Sequence, residues 1–365
     1  MNSKPHFPAL DGLRGIAAIM VVAFHILEAS ATSHFNQIIN HGYLAVDFFF
    51  LLSGFVIGYA YDDRWNTISV KEFFKRRFIR LQPMVVIGMI IGACCFYFQE
   101  CSMWPNIHTV PIWKMLLMML IGFTLIPVTP SMDIRGWSEM HPLNGPGWSL
   151  FFEYIANILY GLFIRKFSKL MLSIFVFGAG IYLLHFALTN PNGDMAGGWS
   201  FEPVQLNIGF VRVLYPFFSG LLLFRIRKNI AVKNGFLYAT ILLIVLFSLP
   251  RFGGPNTLWM NGLYEAFCII VLFPLIVFIG AADTHQSQIK IKICKFLGDI
   301  SYPIYMVHYP FIYIYTAWVL NNKVPLNKIL PMASLTLMAS ITVSYVVLKC
   351  IDEPVRKWLS KKGSN

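Results

Sequence analysis

Charge is scarce in this chain. Only 13% of its 365 residues are Asp, Glu, Lys or Arg, and acids are the rarer kind, 17 against 29 bases. Soluble domains carry roughly a quarter of their residues as charges, so a water-facing surface is excluded for most of the molecule. Cysteines are also few. Cys94, Cys95, Cys268 and Cys294 lie in or beside apolar runs and show neither metal-ligand nor disulfide-framework spacing. No internal repeat is evident, and the N-terminus lacks the charged, apolar and small-residue order of a signal peptide, so its first apolar run is expected to stay as a helix. Apolar side chains dominate instead: 57% of the residues are hydrophobic, with a mean hydropathy of +0.62.

Apolar runs recur from end to end, near 12–31, 43–61, 83–99, 111–128, 147–164, 169–189, 207–224, 235–250, 260–282, 297–320 and 328–350. Most approach the twenty residues that a hydrocarbon core of about 30 Å requires, and the connections leave no room for a soluble domain. In lipid the backbone must satisfy its own hydrogen bonds, so the expectation is an all-α, polytopic membrane helical bundle forming a single membrane-embedded domain over 1–365.

The net charge of +12 does not point to nucleic acid, because the bases are spread over alternate loops. Residues 62–82 hold six of them, and further clusters lie at 165–169, 225–233, 290–295 and 349–362; with Lys4 and Arg14 these make 23 of the 29. This is the positive-inside pattern, and it marks that side as cytosolic. Eleven crossings would put residues 165–169 outside. A re-entrant 111–128 keeps every cluster inside, so the reading is ten transmembrane helices, one re-entrant segment and both termini cytosolic in the plasma (inner) membrane. Which of 83–99, 111–128 and 147–164 turns back is left open. The stretch SVKEFFKRRFIRLQP reads as a basic amphipathic helix on the cytosolic surface, with Phe73, Phe74, Phe78 and Leu81 on one side and Glu72, Arg76 and Arg80 on another.

Arg14 and His25 are placed in the first run. Eleven residues at about 100° each return to nearly the same face, about 16 Å further along the axis. A guanidinium at the cytosolic mouth and an imidazole deep in the membrane suit a ligand with an anionic head and a long reactive arm. Asp47, entering from the other side, matches His25 in depth and would orient it. The fifth run carries a polar stripe, Ser149, Glu153, Asn157 and Tyr160, which needs a partner or a cavity. His308 sits on a stripe with Tyr302, Tyr305, Tyr309 and Tyr313, and Arg212 enters the membrane without an acid in its own run, free to take an anion or to pair with Asp47 or Glu153. Gly54 and Gly58 form a GxxxG pair suited to close helix packing. The outer loop 129–146, with Asp133, Arg135, Trp137, Glu139 and His141, mixes aromatic and polar groups as a carbohydrate surface does. Asp352, Glu353 and Pro354 mark the end of the last run.

DGLRG with its R-x10-H spacing, VDFFFLLSGFVIG (46–58), KRRFIRLQP (75–83), WSLFFE (148–153) and LGDISYPIYMVH (297–308) together resemble the acyltransferase-3 family of membrane-bound acyltransferases, through nearly the whole chain. The resemblance implies transfer of an acyl group, usually acetyl, from cytosolic acyl-CoA to a hydroxyl of an extracytoplasmic carbohydrate, lipid-linked glycan or other surface acceptor, with no metal. It also implies a stand-alone form lacking the SGNH domain that some members carry. On this reading His25, Glu153 and Asp47 are catalytic, His25 being a general base or a transient acyl carrier. Arg14, Arg76, Arg77 and Arg80 hold the acetyl-CoA or other acyl-CoA donor. Trp148, Ser149, Arg212, Tyr302 and His308 contact the substrate, with Glu353 a lesser motif position. Membrane lipids are partners, a homo-oligomer is admitted, and nucleic acid is not a partner. The rival reading is a transporter or flippase of lipid-linked saccharides, to which the missing repeat is unfavourable.

Overall fold

The computed structural model describes residues 6–31, 33, 35–228, 230–284 and 287–362. Lys4, one of the bases counted above, lies outside them. The described residues form thirteen α-helices and no β-sheet, only three isolated bridges. They are α1 (Pro8–Glu28), α2 (Ala45–Tyr61), α3 (Val70–Cys95), α4 (Ile112–Gly122), α5 (Gly147–Leu162), α6 (Lys169–Thr189), α7 (Pro203–Ile226), α8 (Gly235–Ser248), α9 (Trp259–Phe267), α10 (Phe273–Ala281), α11 (Gln288–Asn321), α12 (Leu330–Val347) and α13 (Glu353–Lys362). One π-turn, Cys268–Leu272, joins α9 to α10, and another, Leu348–Asp352, joins α12 to α13. Among the described residues, seven helical stretches are long and apolar enough to cross a membrane, and the chain is an integral membrane protein.

Local signals set the helix starts. Pro8 opens α1, where its missing N–H costs nothing. Ser69, Ser168 and Ser287 cap α3, α6 and α11, each accepting a backbone N–H from the first turn. Sorting into centre and rim follows from which faces are apolar. On α6, Leu170, Ile174, Phe177 and Ile181 are all more than half exposed, a face for lipid. The central α2 and α7 lie against each other at very close range. A Cβ on Gly54 would run into the Phe217 carbonyl, and one on Gly220 into the Leu51 carbonyl, so glycine is needed on both sides of this crossing.

Two expectations change. The basic segment 70–82 is not a separate surface helix, for α3 runs unbroken through Pro83. Its faces also differ from the amphipathic reading. Arg77 is buried and Phe78 is half exposed, because the basic half of α3 supplies one wall of an internal cavity. The run 83–99 is therefore the second half of a 26-residue helix.

α4 has 11 residues, about 16 Å, half of a hydrocarbon core. It packs along α3 down to Gln82, whose amide donates to the Phe123 carbonyl. The chain then reverses at Leu125, held at φ 57°, and climbs back until Val128 N–H donates to Met140 O at 3.0 Å.

Prolines inside α11 leave carbonyls unbonded. Pro310 orphans Met306 O, and Asn144 Nδ2 fills the gap at 2.8 Å, tying the loop before α5 to this helix. At the same end of the bundle Glu265 accepts from Tyr43 Oη, Asn261 Nδ2 and Met195 N–H and contacts His41 at 3.2 Å. At the opposite end Arg225 grips Asp62 at 2.6 and 3.1 Å while Tyr160 Oη donates to the same carboxylate, joining α2, α5 and α7.

Candidate active site

α1 lies along α11, and this pairing positions both residues of the R-x10-H stripe. Arg14 Nε donates to Ser301 Oγ at 2.8 Å, and Nη2 donates to Gly298 O at 3.1 Å and Asp11 Oδ1 at 3.2 Å. Gly15 and Gly298 permit the approach, since a Cβ on either would strike the facing helix. Three turns further, His25 meets His308 with rings stacked 5.9 Å apart, and Tyr309 edge-on at 4.8 Å. Both stripe residues face protein rather than lipid.

A narrow cavity of about 90 Å³ begins beside Arg14. Arg14, Arg77, Arg80, Glu153, Ser149, Ser301, Tyr302 and Tyr305 supply its polar lining, with Val46, Phe49, Phe50 and Val56 of α2 on the apolar side. Arg77 Nη2 donates to Glu153 Oε1 at 2.7 Å, while Arg77 Nε is buried with no acceptor. Arg80 is exposed. The cavity lining thus holds three guanidinium groups and one carboxylate, with Asp11 meeting Arg14 from outside it, and an anionic ligand would offset the remaining excess. Tyr302 Oη donates to Leu81 O at 2.7 Å, and Ser149 Oγ meets Tyr305 Oη at 2.7 Å. The cavity lining ends at Tyr305, whose ring lies 5.9 Å from that of His308. His25 lies beyond this pair, with 17% of its side chain exposed. Among the described residues, the Tyr305–His308 pair stands between the cavity lining and His25.

The polar stripe of α5 finds partners throughout: Tyr305 for Ser149, Arg77 for Glu153, Asp62 for Tyr160, and the Glu153 carbonyl for Asn157. Arg76 is apart from the others; it is exposed and paired with Glu72 one turn back. Asp47 does not orient His25. Arg212 takes both its oxygens, Nη2 to Oδ2 at 2.7 Å and Nε to Oδ1 at 3.2 Å. The same guanidinium donates to Gly197 O and Tyr43 O and lies 5.0 Å from the Trp148 ring, so neither Arg212 nor Trp148 lines the cavity. A buried arginine needs its charge matched nearby, and the Asp47 carboxylate one helix away supplies that match.

The carboxylate beside His25 is Glu28, at 3.0 Å from Nδ1. Sequence reasoning missed it, although an i,i+3 pair on one helix is a readable signal. Glu28 accepts a hydrogen bond from Nδ1–H and leaves Nε2 as the basic atom. His308 is fixed the same way by its own helix, Nδ1–H donating to Ile304 O and Tyr305 O at 3.0 Å each. Its Nε2 is buried without a partner. Beyond Tyr309 comes Tyr313, which donates to Glu139 at 2.8 Å under the Arg135 guanidinium. Burial outweighs Arg135 here and pushes the Glu139 carboxyl up to about 7, while burial alone drives His141 down to about 3. These residues pack inward, and of the outer-loop set Trp137 is the one left exposed.

A family model described as an acyltransferase domain matches residues 7–349. Among curated relatives, the peptidoglycan O-acetyltransferase OatA of Listeria monocytogenes is 27% identical over 97% of this chain and 56% of its own length. The O-acetyltransferase OatA of Staphylococcus aureus is 24% identical over 98% of this chain and 58% of its own. Protein 2 in the picA locus of Rhizobium radiobacter is 32% identical over 44% of this chain and 84% of its own length. The chain thus spans just over half the length of the OatA relatives it matches. No solved structure matches.

Proposed function

Since this chain belongs to the acyltransferase-3 family, we propose that it is a membrane O-acyltransferase carrying an acetyl group from cytosolic acetyl-CoA to a hydroxyl of an extracytoplasmic carbohydrate. The observation that carries this reading is the shared cavity of Arg14, Arg77 and Arg80, one turn of α11 short of the His25–His308 pair. The donor's phosphates sit at the arginine rim, because the cavity admits a slender arm and not a nucleotide. The pantetheine arm runs inward past Glu153 and Ser149 to Tyr305. Displacement of the Tyr305 side chain then brings the thioester to His25.

At that point His25 Nε2 takes the proton of the acceptor hydroxyl while its oxygen attacks the thioester carbon. The C–S bond breaks, and the imidazolium returns the proton to the departing thiolate, so CoA leaves as the thiol. Glu28 holds the imidazole in the required tautomer and stabilises its charged form. His308, with Nε2 open, offers the acceptor a second hydrogen bond. The peptidoglycan substrate of the Listeria monocytogenes relative favours a carbohydrate acceptor here.

Saturable acetyl-CoA binding by the purified protein is the direct test. Arg14→Ala or Arg77→Ala should raise Kd about tenfold, the worth of one charge-assisted hydrogen bond. Equal affinity in wild type and both variants would remove the donor site from this cavity.

The proposed topology has ten crossings with both termini in the cytosol and residues 112–128 as a loop that enters and returns. The short α4 and the reversal at Leu125 support it. With Cys94 and Cys350 replaced, Trp137→Cys and Lys166→Cys should react with impermeant maleimide from opposite faces of the membrane. Labelling from one face would refute it.

A further inference from the structure

A second cavity is roomier than the one described above. About 340 Å³ in size, it lies at the end of the bundle where α1 and α11 begin and where α7 and α10 end. Phe7, Phe55, Ile230 and Phe278 give it an apolar floor. Its charged lining is His6, Arg227, Lys228, Lys290 and the single carboxylate Asp283. Lys290 is paired with Asp283, and His6 with Asp11 at 3.0 Å. Among the described residues, Arg227 and Lys228 have no such acid.

Arg227 is also held still. Its guanidinium lies 3.9 Å from the Phe224 ring and 5.8 Å from that of Phe7, and Nη1 donates to Phe224 O at 3.0 Å. Partial burial pushes its pKa down, the sign of a cation short of counter-charge. A rigid arginine facing an apolar pocket, with a lysine beside it, matches a phosphate ester on a hydrocarbon stem. Pockets of this kind, basic and between helices at the cytosolic face, are where anionic headgroups bind.

We propose that this cavity holds the phosphate headgroup of an anionic phospholipid from the cytosolic leaflet, with Arg227 and Lys228 as its ligands. A soluble organic phosphate shares the chemistry. The lipid is the better fit because the site opens among half-exposed apolar side chains, Ile226 and Ile230, at the bundle's edge. The site shares no lining residue with the Arg14 cavity, so lipid and acetyl group donor would not compete. Position and orientation of the lipid rest on the cytosolic assignment above.

Native mass spectrometry of the purified full chain, after exchange into mixed phosphatidylglycerol and phosphatidylethanolamine, reads this directly. Phosphatidylglycerol should be retained at least fivefold over phosphatidylethanolamine, and the Arg227→Gln/Lys228→Gln variant should lose that preference. Arg227→Lys, which keeps the charge, should keep most of it and guards against a folding defect. Equal retention of the two lipids, or a preference unchanged in the double variant, overturns the proposal. So does stabilisation by glycerol 3-phosphate that matches the lipid's. Acetyl-CoA affinity, measured on the same preparations, should stay within twofold; loss of donor binding in wild type would strike the acyltransferase reading and leave this site standing.

Discussion

His25→Ala should lower acetyl transfer by at least a hundredfold in liposomes while the protein still binds acetyl-CoA with wild-type affinity. General-base removal typically costs 10²–10⁴ in rate. The charged contacts proposed for the donor lie about 16 Å away along α1, at Arg14, and would not depend on the imidazole. Glu28→Gln should cost less, about tenfold, because the amide still contacts Nδ1 but stabilises the imidazolium poorly. A His25→Ala protein that turns over normally would show that the reaction takes place elsewhere. One that also lost donor affinity would show that the substitution had disturbed the α1–α11 contact.

The second large effect should be on stability. Asp47→Ala leaves the Arg212 guanidinium buried without its carboxylate, and breaking such a pair costs about 3–5 kcal/mol. The melting temperature of the detergent-solubilised protein should fall by several degrees. An Asp47→Leu/Arg212→Met double variant should recover most of the loss, because no charge is then stranded. If Asp47 instead served His25, Asp47→Ala would abolish transfer and leave the melting curve unchanged. The two readings of this carboxylate therefore separate in one pair of measurements.

The Asp47 case illustrates how far the sequence reaches. Depth along a helix can be reckoned from residue counting, which assigns Asp47 and His25 matching depths on successive runs. Azimuth is not legible across helices. α2 turns Asp47 toward α7, where the paired glycines Gly54 and Gly220 draw the helices close enough for Arg212 to reach it. The stripe on α5 was legible because all four residues share one helix, whose period is known. That its partners are Arg77, Tyr305 and Asp62 depended on which helices pack beside it. Arg76 and Arg77 show the same limit within a single motif. Adjacent on the helix, they point about 100° apart, so one meets Glu153 in the cavity and the other faces solvent.

Hydropathy was enough, by itself, to determine that this is a membrane-embedded helical protein. The transfer costs of apolar and charged groups act residue by residue, and need no knowledge of neighbours. Helix periodicity also determined that Arg14 and His25 share a face. Only the tertiary structure decided that this face meets α11, that Glu28 and His308 complete the imidazole's surroundings, and that Tyr305 stands between them and the arginine-lined cavity. Those are contacts between separate helices, set by side-chain packing and by pairing of buried charges, and no local rule along the chain encodes them.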